Sequence, residues 1–344
     1  MSSKDIFVRN IESERKFDLK RFFIQWEWLL VLLLIIINTM NISLSSNYWN
    51  FNNLMSAVQM FLDKAVLVFP MMLVILLGEI DISIASTMAL SGVLMGVAYQ
   101  AGVPMPLAIM IALTVGIVCG FINGFILVRF KELSSMIVTL STMIIYRGIA
   151  SIILKDQAIS NFPGWFQYFG WGNVGSLPFI LFFFIIEAVI FAYVVHKTPF
   201  GRRVYAMGNN IVTSRYSGLK VDNIKIIIFT LNGLFAAIAG IFLTSKMGSA
   251  RPSIASGYEL DVIAMVVLGG VSTAGGKGRV GGTILSIFVI GLLRYGLGLI
   301  NVPSQSIMII LGALLVIAVA IPNLKGSFNG LIKSGIFIKT KGNN

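Results

Sequence analysis

The chain has 344 residues, of which 57% are hydrophobic and only 12% charged, and its formal net charge is +12. A soluble domain carries about a quarter charged residues, so this composition excludes an ordinary water-soluble enzyme. The basic residues stand between long apolar runs, which ties them to orientation across a bilayer and excludes nucleic acid as their partner.

Taken in chain order, the apolar runs predict ten spans, at about 28–46, 54–77, 83–100, 106–128, 133–154, 177–196, 224–244, 258–276, 280–300 and 303–321. All are expected to be helical, because backbone groups in lipid must be satisfied within their own segment. The expected fold class is an all-α polytopic membrane protein. Its parts are a cytoplasmic segment 1–27, a transmembrane domain 28–321 with a long loop at 197–223, and a cytoplasmic tail 322–344. Residues 1–27 are too long and too charged for the n-region of a cleavable signal peptide.

With both termini in the cytoplasm, the inner segments hold 20 of the 26 Lys and Arg residues: Lys4, Arg9, Arg15, Lys16, Lys20 and Arg21 at the start, then Arg129, Lys131 and the clusters that follow, ending with Lys325, Lys333, Lys339 and Lys341. The outer loops hold three, Lys155, Lys246 and Arg251. That asymmetry is the positive-inside pattern. Lys64, Arg147 and Arg294 lie inside spans, toward the outer side. They read either as snorkelling residues, with Asp63 and Lys64 offsetting each other, or as the wall of a water-filled vestibule.

Three stretches are too polar for lipid-facing helix. Gly78-Glu79-Ile80-Asp81-Ile82-Ser83 joins spans two and three. Asp81 and Ser83 read as caps of the next helix or as irregular backbone at a binding site. The loop 197–223 carries Thr198-Pro199-Phe200-Gly201-Arg202-Arg203, where the chain should break after span six, then a turn at Gly208-Asn209-Asn210 and a short helix over 211–217 ending at Gly218. Gly257-Tyr258-Glu259-Leu260-Asp261 leads into an apolar run too short for a full span and a glycine-rich exit, the pattern of a discontinuous helix beside a cavity. Elsewhere, Gly116, Gly120 and Gly124 form a small-residue face for close helix packing. Spans 2–5 and 7–10 show no repeat in their letters.

The absent chemistry is equally informative. One histidine, His196, at a helix end, and one cysteine, Cys119, inside an apolar run, offer no metal cluster, triad or disulfide. Gly276-Lys277-Gly278-Arg279-Val280-Gly281 fits G-x-G-x-x-G but joins two spans, without the strand that a nucleotide site requires, and it is not a phosphate-binding loop. Asn41-Ile42-Ser43 is a formal glycosylation sequon and carries no weight. No cofactor is expected.

Several of these motifs occur together in order: Gly78 to Ser83; Ile137-Val138-Thr139-Leu140 with Tyr146-Arg147-Gly148; Thr198 to Arg202; Ser217-Gly218; and Gly257 to Asp261 with Val267-Leu268-Gly269-Gly270. In them the chain resembles the permease subunits of bacterial ABC importers for ribose, xylose, rhamnose and autoinducer-2. The run Gly248-Ser249-Ala250-Arg251-Pro252 looks most like the rhamnose type. The resemblance implies a bacterial inner-membrane location and a simple sugar as cargo, rhamnose-like or another monosaccharide, or autoinducer-2. It implies three partners: a cytoplasmic ABC ATPase subunit, an extracytoplasmic sugar-binding protein, and a second permease subunit, identical or different. It also implies that the 197–223 loop holds the helix that couples to the ATPase, with Arg202, Arg203, Asn210, Arg215, Ser217 and Gly218 as its candidate residues. One departure stands there: Ile211-Val212-Thr213-Ser214 replaces the family's usual Pro-Glu-Ala-Ala. The expected substrate pathway residues are Asp81, Ser83, Thr139, Thr142, Asn232 and Glu259, each equally readable as a cap or an interhelical hydrogen bond. The alternatives are an ion-coupled secondary transporter, for which Glu187 and Asp63 are the embedded acids, and a membrane enzyme, for which no nucleophile or acid–base cluster is evident.

Overall fold

The computed structural model describes residues 26–45, 48–155, 157–314 and 316. Of the expected cytoplasmic segments, all of 322–344 and residues 1–25 of 1–27, with the basic residues counted in them, lie outside the described residues, as does the end of the tenth span after 316. Among the described residues the architecture is helical apart from one hairpin of two-residue strands, Asn173–Val174 (β1) with Leu177–Pro178 (β2), and an isolated bridge between Ile159 and Ala250. In chain order the helices are α1 Trp26–Leu44, α2 Phe51–Ala65, α3 Val68–Leu76, α4 Ile84–Gln100, α5 Met105–Arg129, α6 Ser135–Leu154, α7 Gln167–Trp171, α8 Phe179–Lys197, α9 Pro199–Asn209, α10 Ile211–Tyr216, α11 Val221–Met247, α12 Tyr258–Leu268 and α13 Val280–Leu299. A further apolar helix, α14, covers Ser304–Leu314.

A helix falls in every one of the ten predicted intervals, but they are not equal. Among the described residues six are long and apolar enough to cross a membrane, and α2 with α3, bent by 40° at a short break, counts as a seventh if the pair forms one span. Helices α4, α12 and α14 are shorter. Two pieces of structure were not legible in the sequence. A 3₁₀ turn at Gly164–Phe166, α7 and the hairpin order the connection before α8. Within 197–223, the chain breaks after α8 at the extended Thr198, as expected, but Gly201 does not prolong the break: Pro199 at once starts α9, with the Thr198 hydroxyl accepting from Gly201 N–H at 3.3 Å. Proline at a first helical position lacks an N–H that would have had no intrahelical partner anyway.

Helix α4 is the hub. Its sequence is rich in Ala, Ser and Gly, and most of its residues are buried against α5, α6 and α11. Small side chains on every face are what a helix surrounded by others requires. Beside it, α5 and α11 interlock through glycines. A Cβ at Gly116, Gly120 or Gly233 would come closer than 3.0 Å to backbone of the facing helix. The predicted glycine face of α5 is therefore a packing face. The outward surfaces of α5, α6 and α8 carry Phe121, Phe125, Ile137, Ile144, Ile152, Ile186 and Val189, all exposed. Such continuous apolar cover suits contact with lipid tails.

The two irregular connections share one geometry. Helix α3 ends with Gly78 at φ +78° and with Glu79 N–H reaching back to Val74 O at 3.2 Å. Helix α12 ends with Gly270 at φ +85° and with Val271 N–H reaching back to Val266 O at 3.3 Å. Both are left-handed glycine stops that satisfy late helix carbonyls. The letters show no repeat, yet the same termination occurs at both breaks. Gly120→Ala and Gly233→Ala are each expected to cost about 1–3 kcal/mol through overpacking. Gly281→Ala, where an added Cβ meets nothing within 4 Å, should leave stability unchanged or slightly raised. Thermal unfolding of the detergent-solubilised protein, followed by size-exclusion fluorescence, measures both.

Candidate functional site

The α3–α4 break is held by a buried polar network. Asp81 Oδ1 accepts from the Ser83 backbone N–H at 2.9 Å and from the Ser83 hydroxyl at 2.6 Å, and Asp81 Oδ2 accepts from Asn232 Nδ2 of α11 at 2.8 Å. Asn123 of α5 donates to Ser83 Oγ at 2.8 Å. From α6, the Ser135 hydroxyl accepts from Ile80 N–H and the Thr139 hydroxyl from Ile82 N–H, both at 3.1 Å. Thr142 lies a turn further on and donates to Thr139 O at 3.2 Å. Each free backbone group of a helix break costs free energy in an apolar layer unless it is paired, and here side chains of α5, α6 and α11 supply the partners.

Five of the six predicted pathway residues, Asp81, Ser83, Thr139, Thr142 and Asn232, thus meet around one break, and all five are buried. Glu259 does not join them. It sits in the first turn of α12, and its Oε2 is buried without a hydrogen-bond partner among the described residues. The network also includes residues that sequence reasoning passed over. Asn123 was findable, since a lone amide in an apolar span on the face of Gly116, Gly120 and Gly124 demands a partner. Ser135 gave no signal.

A second set of contacts joins the break to the 197–223 segment. Gly208 of α9 is wedged so closely between Leu76 O and Gly276 N that a Cβ there would meet both at under 3.0 Å. Gly276 N–H donates to Leu76 O at 2.9 Å, directly linking the α3–α4 and α12–α13 connections. The Tyr205 hydroxyl donates to Gly278 O at 2.7 Å; burial raises its pKa and keeps the proton on it. Glu79 pairs with Lys225 at the start of α11. Beside that pair lies a cavity of about 530 Å³ whose walls include Ser135, Val212, Arg215 and Asp222.

The predicted coupling residues occupy the surface of this segment. Arg202 and Arg203 are exposed on α9. Asn210 caps α10, its Oδ1 accepting from Thr213 N–H at 2.9 Å. Arg215 pairs with Asp222 at 2.8 Å, and the Ser217 hydroxyl donates to Thr213 O at 2.9 Å. Gly218 ends α10 in the left-handed conformation, φ +82°, as its sequence position predicts. Tyr216, 90% exposed at the tip of α10, was not among the predicted residues.

Of the basic residues inside the spans, Lys64 takes a partner other than the one expected. Lys64 does not offset Asp63. It pairs with Asp261 Oδ2 at 2.7 Å, and Arg294 takes Asp261 Oδ1 at 2.5 Å. Asp63 faces Lys246 at 3.6 Å and accepts from the Tyr258 hydroxyl at 3.2 Å. Arg147 stands apart and donates to Pro252 O at 2.6 Å and Ile254 O at 3.1 Å. Asn41 of the sequon is buried and donates to Leu292 O at 3.0 Å, so it is packing and not a glycan acceptor. Among the described residues no group of His, Cys, Asp and Glu is arranged to hold a metal. Asp81→Ala should cost about 3 kcal/mol, because it strands the Ser83 hydroxyl and the Asn232 amide. Asp81→Asn, which keeps an acceptor oxygen, should cost less; thermal unfolding of the two variants checks the order.

The family described as branched-chain amino acid transport system / permease component matches residues 53–319. A ribose import permease protein of Bacillus subtilis is 39% identical over 277 residues, covering 80% of this chain and 86% of the relative. A ribose import permease protein of Escherichia coli K12 is 34% identical over 321 residues, 91% of this chain and 98% of the relative. An autoinducer 2 import system permease protein of Yersinia enterocolitica is 34% identical over 301 residues, 86% of this chain and 90% of the relative. No solved structure matches. The protein is a multi-pass membrane transport component, and the chain belongs to this family of transport-system permease components.

Proposed function

We propose that the chain is the membrane-spanning permease subunit of an ATP-driven importer of a simple sugar, with ribose the first candidate because two of the relatives above are named for its import. The autoinducer-2 and rhamnose-like readings remain the other members of the same substrate class. The importer resides in a bacterial inner membrane, the chain crosses it ten times, and both termini are cytoplasmic. A cytoplasmic ATPase subunit supplies ATP hydrolysis, an extracytoplasmic binding protein delivers the sugar, and a second permease subunit completes the pathway.

The observation that carries this reading is the Gly208 wedge. Helices α9 and α10 present Arg202, Arg203, Arg215 and Tyr216 to solvent on one side. On the other they touch both helix breaks through Gly208, Leu76 and Gly276. A push on the exposed side is therefore delivered to the two connections most able to rearrange. That is what alternating access driven by a partner requires. The burial of Asp81, Ser83, Thr139, Thr142 and Asn232 supports a role in holding the α3–α4 break over one in lining the pathway. Glu259, with a free carboxylate oxygen, keeps the lining role.

A second reading, ion-coupled transport, is favoured by one observation. Glu187 is buried in α8, and neither carboxylate oxygen has a hydrogen-bond partner among the described residues. An unpaired acid inside a span is a proton-site candidate. The two readings separate in proteoliposomes holding the permease, its ATPase and its binding protein: ribose uptake that needs ATP and survives collapse of ion gradients supports the importer, and uptake that follows the gradient supports the alternative. In the importer, Gly208→Val should abolish uptake, because its side chain has no space between Leu76 and Gly276. Arg215→Glu should lower uptake about tenfold, of the order of a single interface hot spot, and ATPase co-purification with the variant checks that docking is what fails.

A further inference from the structure

Lys64 stands in the last turn of α2 and Asp261 in the first turn of α12, both buried, and Arg294 lies well inside α13. Lys64 is about 20 Å along α2 from its first residue, and Arg294 about as far along α13, at 1.5 Å per residue. Ionisable groups at such depth are costly and mark water-lined or functional positions. Two cations share one carboxylate here, so the triad carries an excess positive charge that a structural ion pair would not need. Lys64 and Asp261 are nine-tenths buried, yet Arg294 Nε is buried without a partner, leaving hydrogen-bonding capacity unused.

The triad faces a cavity of about 340 Å³, within the range of small-molecule sites. Ser256 and Ser304 add hydroxyls to the polar wall, and Ala264, Met308 and Leu311 make an apolar one. A wall of fixed donors and one acceptor opposite a wall of C–H groups matches a ring with hydroxyls on its edge and C–H bonds on its face. The ammonium of Lys64 lies 4.1 Å from the Tyr258 ring centre, which fixes its direction without using its hydrogen bonds.

We propose that this cavity, between α2, α12, α13 and α14, is a subsite for a neutral polyhydroxylated solute, with Asp261 accepting from its hydroxyls and Lys64 and Arg294 donating to them. The proposal names a binding place for the cargo and so rests on the sugar-import reading above.

The test uses the full chain in lipid nanodiscs. Cys119, the natural cysteine, is buried, so alkylation of a Ser304→Cys variant by a maleimide reports on the cavity. D-ribose, D-xylose or L-rhamnose near saturation is expected to slow that labelling about fivefold, and to leave unchanged the labelling of Ser253→Cys on an exposed loop. Gly312 also lines the cavity, and a Cβ there meets nothing within 4 Å. Adding Gly312→Phe to Ser304→Cys should therefore remove the sugar effect while sparing every ion pair and the fold. The proposal is overturned if none of the three sugars slows labelling, if both cysteines slow alike, or if Gly312→Phe leaves protection intact. ATP-dependent uptake by the reconstituted importer reports separately on the import reading. Uptake without protection removes the subsite and keeps the importer; protection without uptake does the reverse.

Discussion

An apolar layer offers no water to backbone groups, and this chain breaks two helices inside it. Everything distinctive about the protein follows from how those breaks are satisfied. At the first, Asp81 gathers Ser83 and Asn232, and the Ser135 and Thr139 hydroxyls take the free amides of Ile80 and Ile82. At the second, glycines at 275, 276 and 278 allow the loop to fold back so that Gly276 N–H meets Leu76 O. The two breaks are thus partners in hydrogen bonding, and neither can be rearranged alone. Helix α9 closes the junction at Gly208, so a segment whose outer side exposes Arg202, Arg203 and Arg215 is also the one that presses on both.

The distribution of charge follows from the same economy. Exposed pairs such as Arg215–Asp222 lie in a medium that screens them, and contribute little to stability. The Asp261 triad and the Glu79–Lys225 pair are largely withdrawn from water and are much more sensitive to loss of a member. One lies beside α12 and α13, the other beside the α3–α4 connection and the coupling segment. Both tie a discontinuous stretch to a continuous helix.

Much of the fold was legible because bilayer constraints are written in composition. Every predicted span contains a helix, and the glycine face of α5 packs as its spacing implies. The helix stop at Gly218 and the shortness of the 258–268 helix were readable from single residues. What escaped was of two kinds. Contacts between residues far apart in sequence, such as Lys64 with Asp261 in place of adjacent Asp63, are decided by helix rotation, which hydropathy does not encode. The break at Thr198 was readable from Pro199, but the helix that follows was not, because proline is compatible both with breaking a chain and with beginning a helix, and the deciding feature was the Thr198 hydroxyl before it. Asp81, Ser83, Thr139, Thr142 and Asn232, named together from the sequence, meet because buried polar side chains cluster, but their letters alone do not separate holding a backbone from touching a solute.

The docking of α1 has a consequence for how the protein is made. Its buried Asn41 donates to Leu292 O of α13, so close to Gly296 that any side chain there would collide with it, and the Trp26 indole donates to Leu268 O. Both partners are synthesised more than 200 residues later. During translation the first span therefore waits in the bilayer with an unsatisfied amide until α13 has been made. A ribosome stalled before residue 280 would leave that amide exposed to lipid or to the insertion machinery. The place of α1 is thus fixed in two steps, by α12 at Trp26 and then by α13 at Asn41.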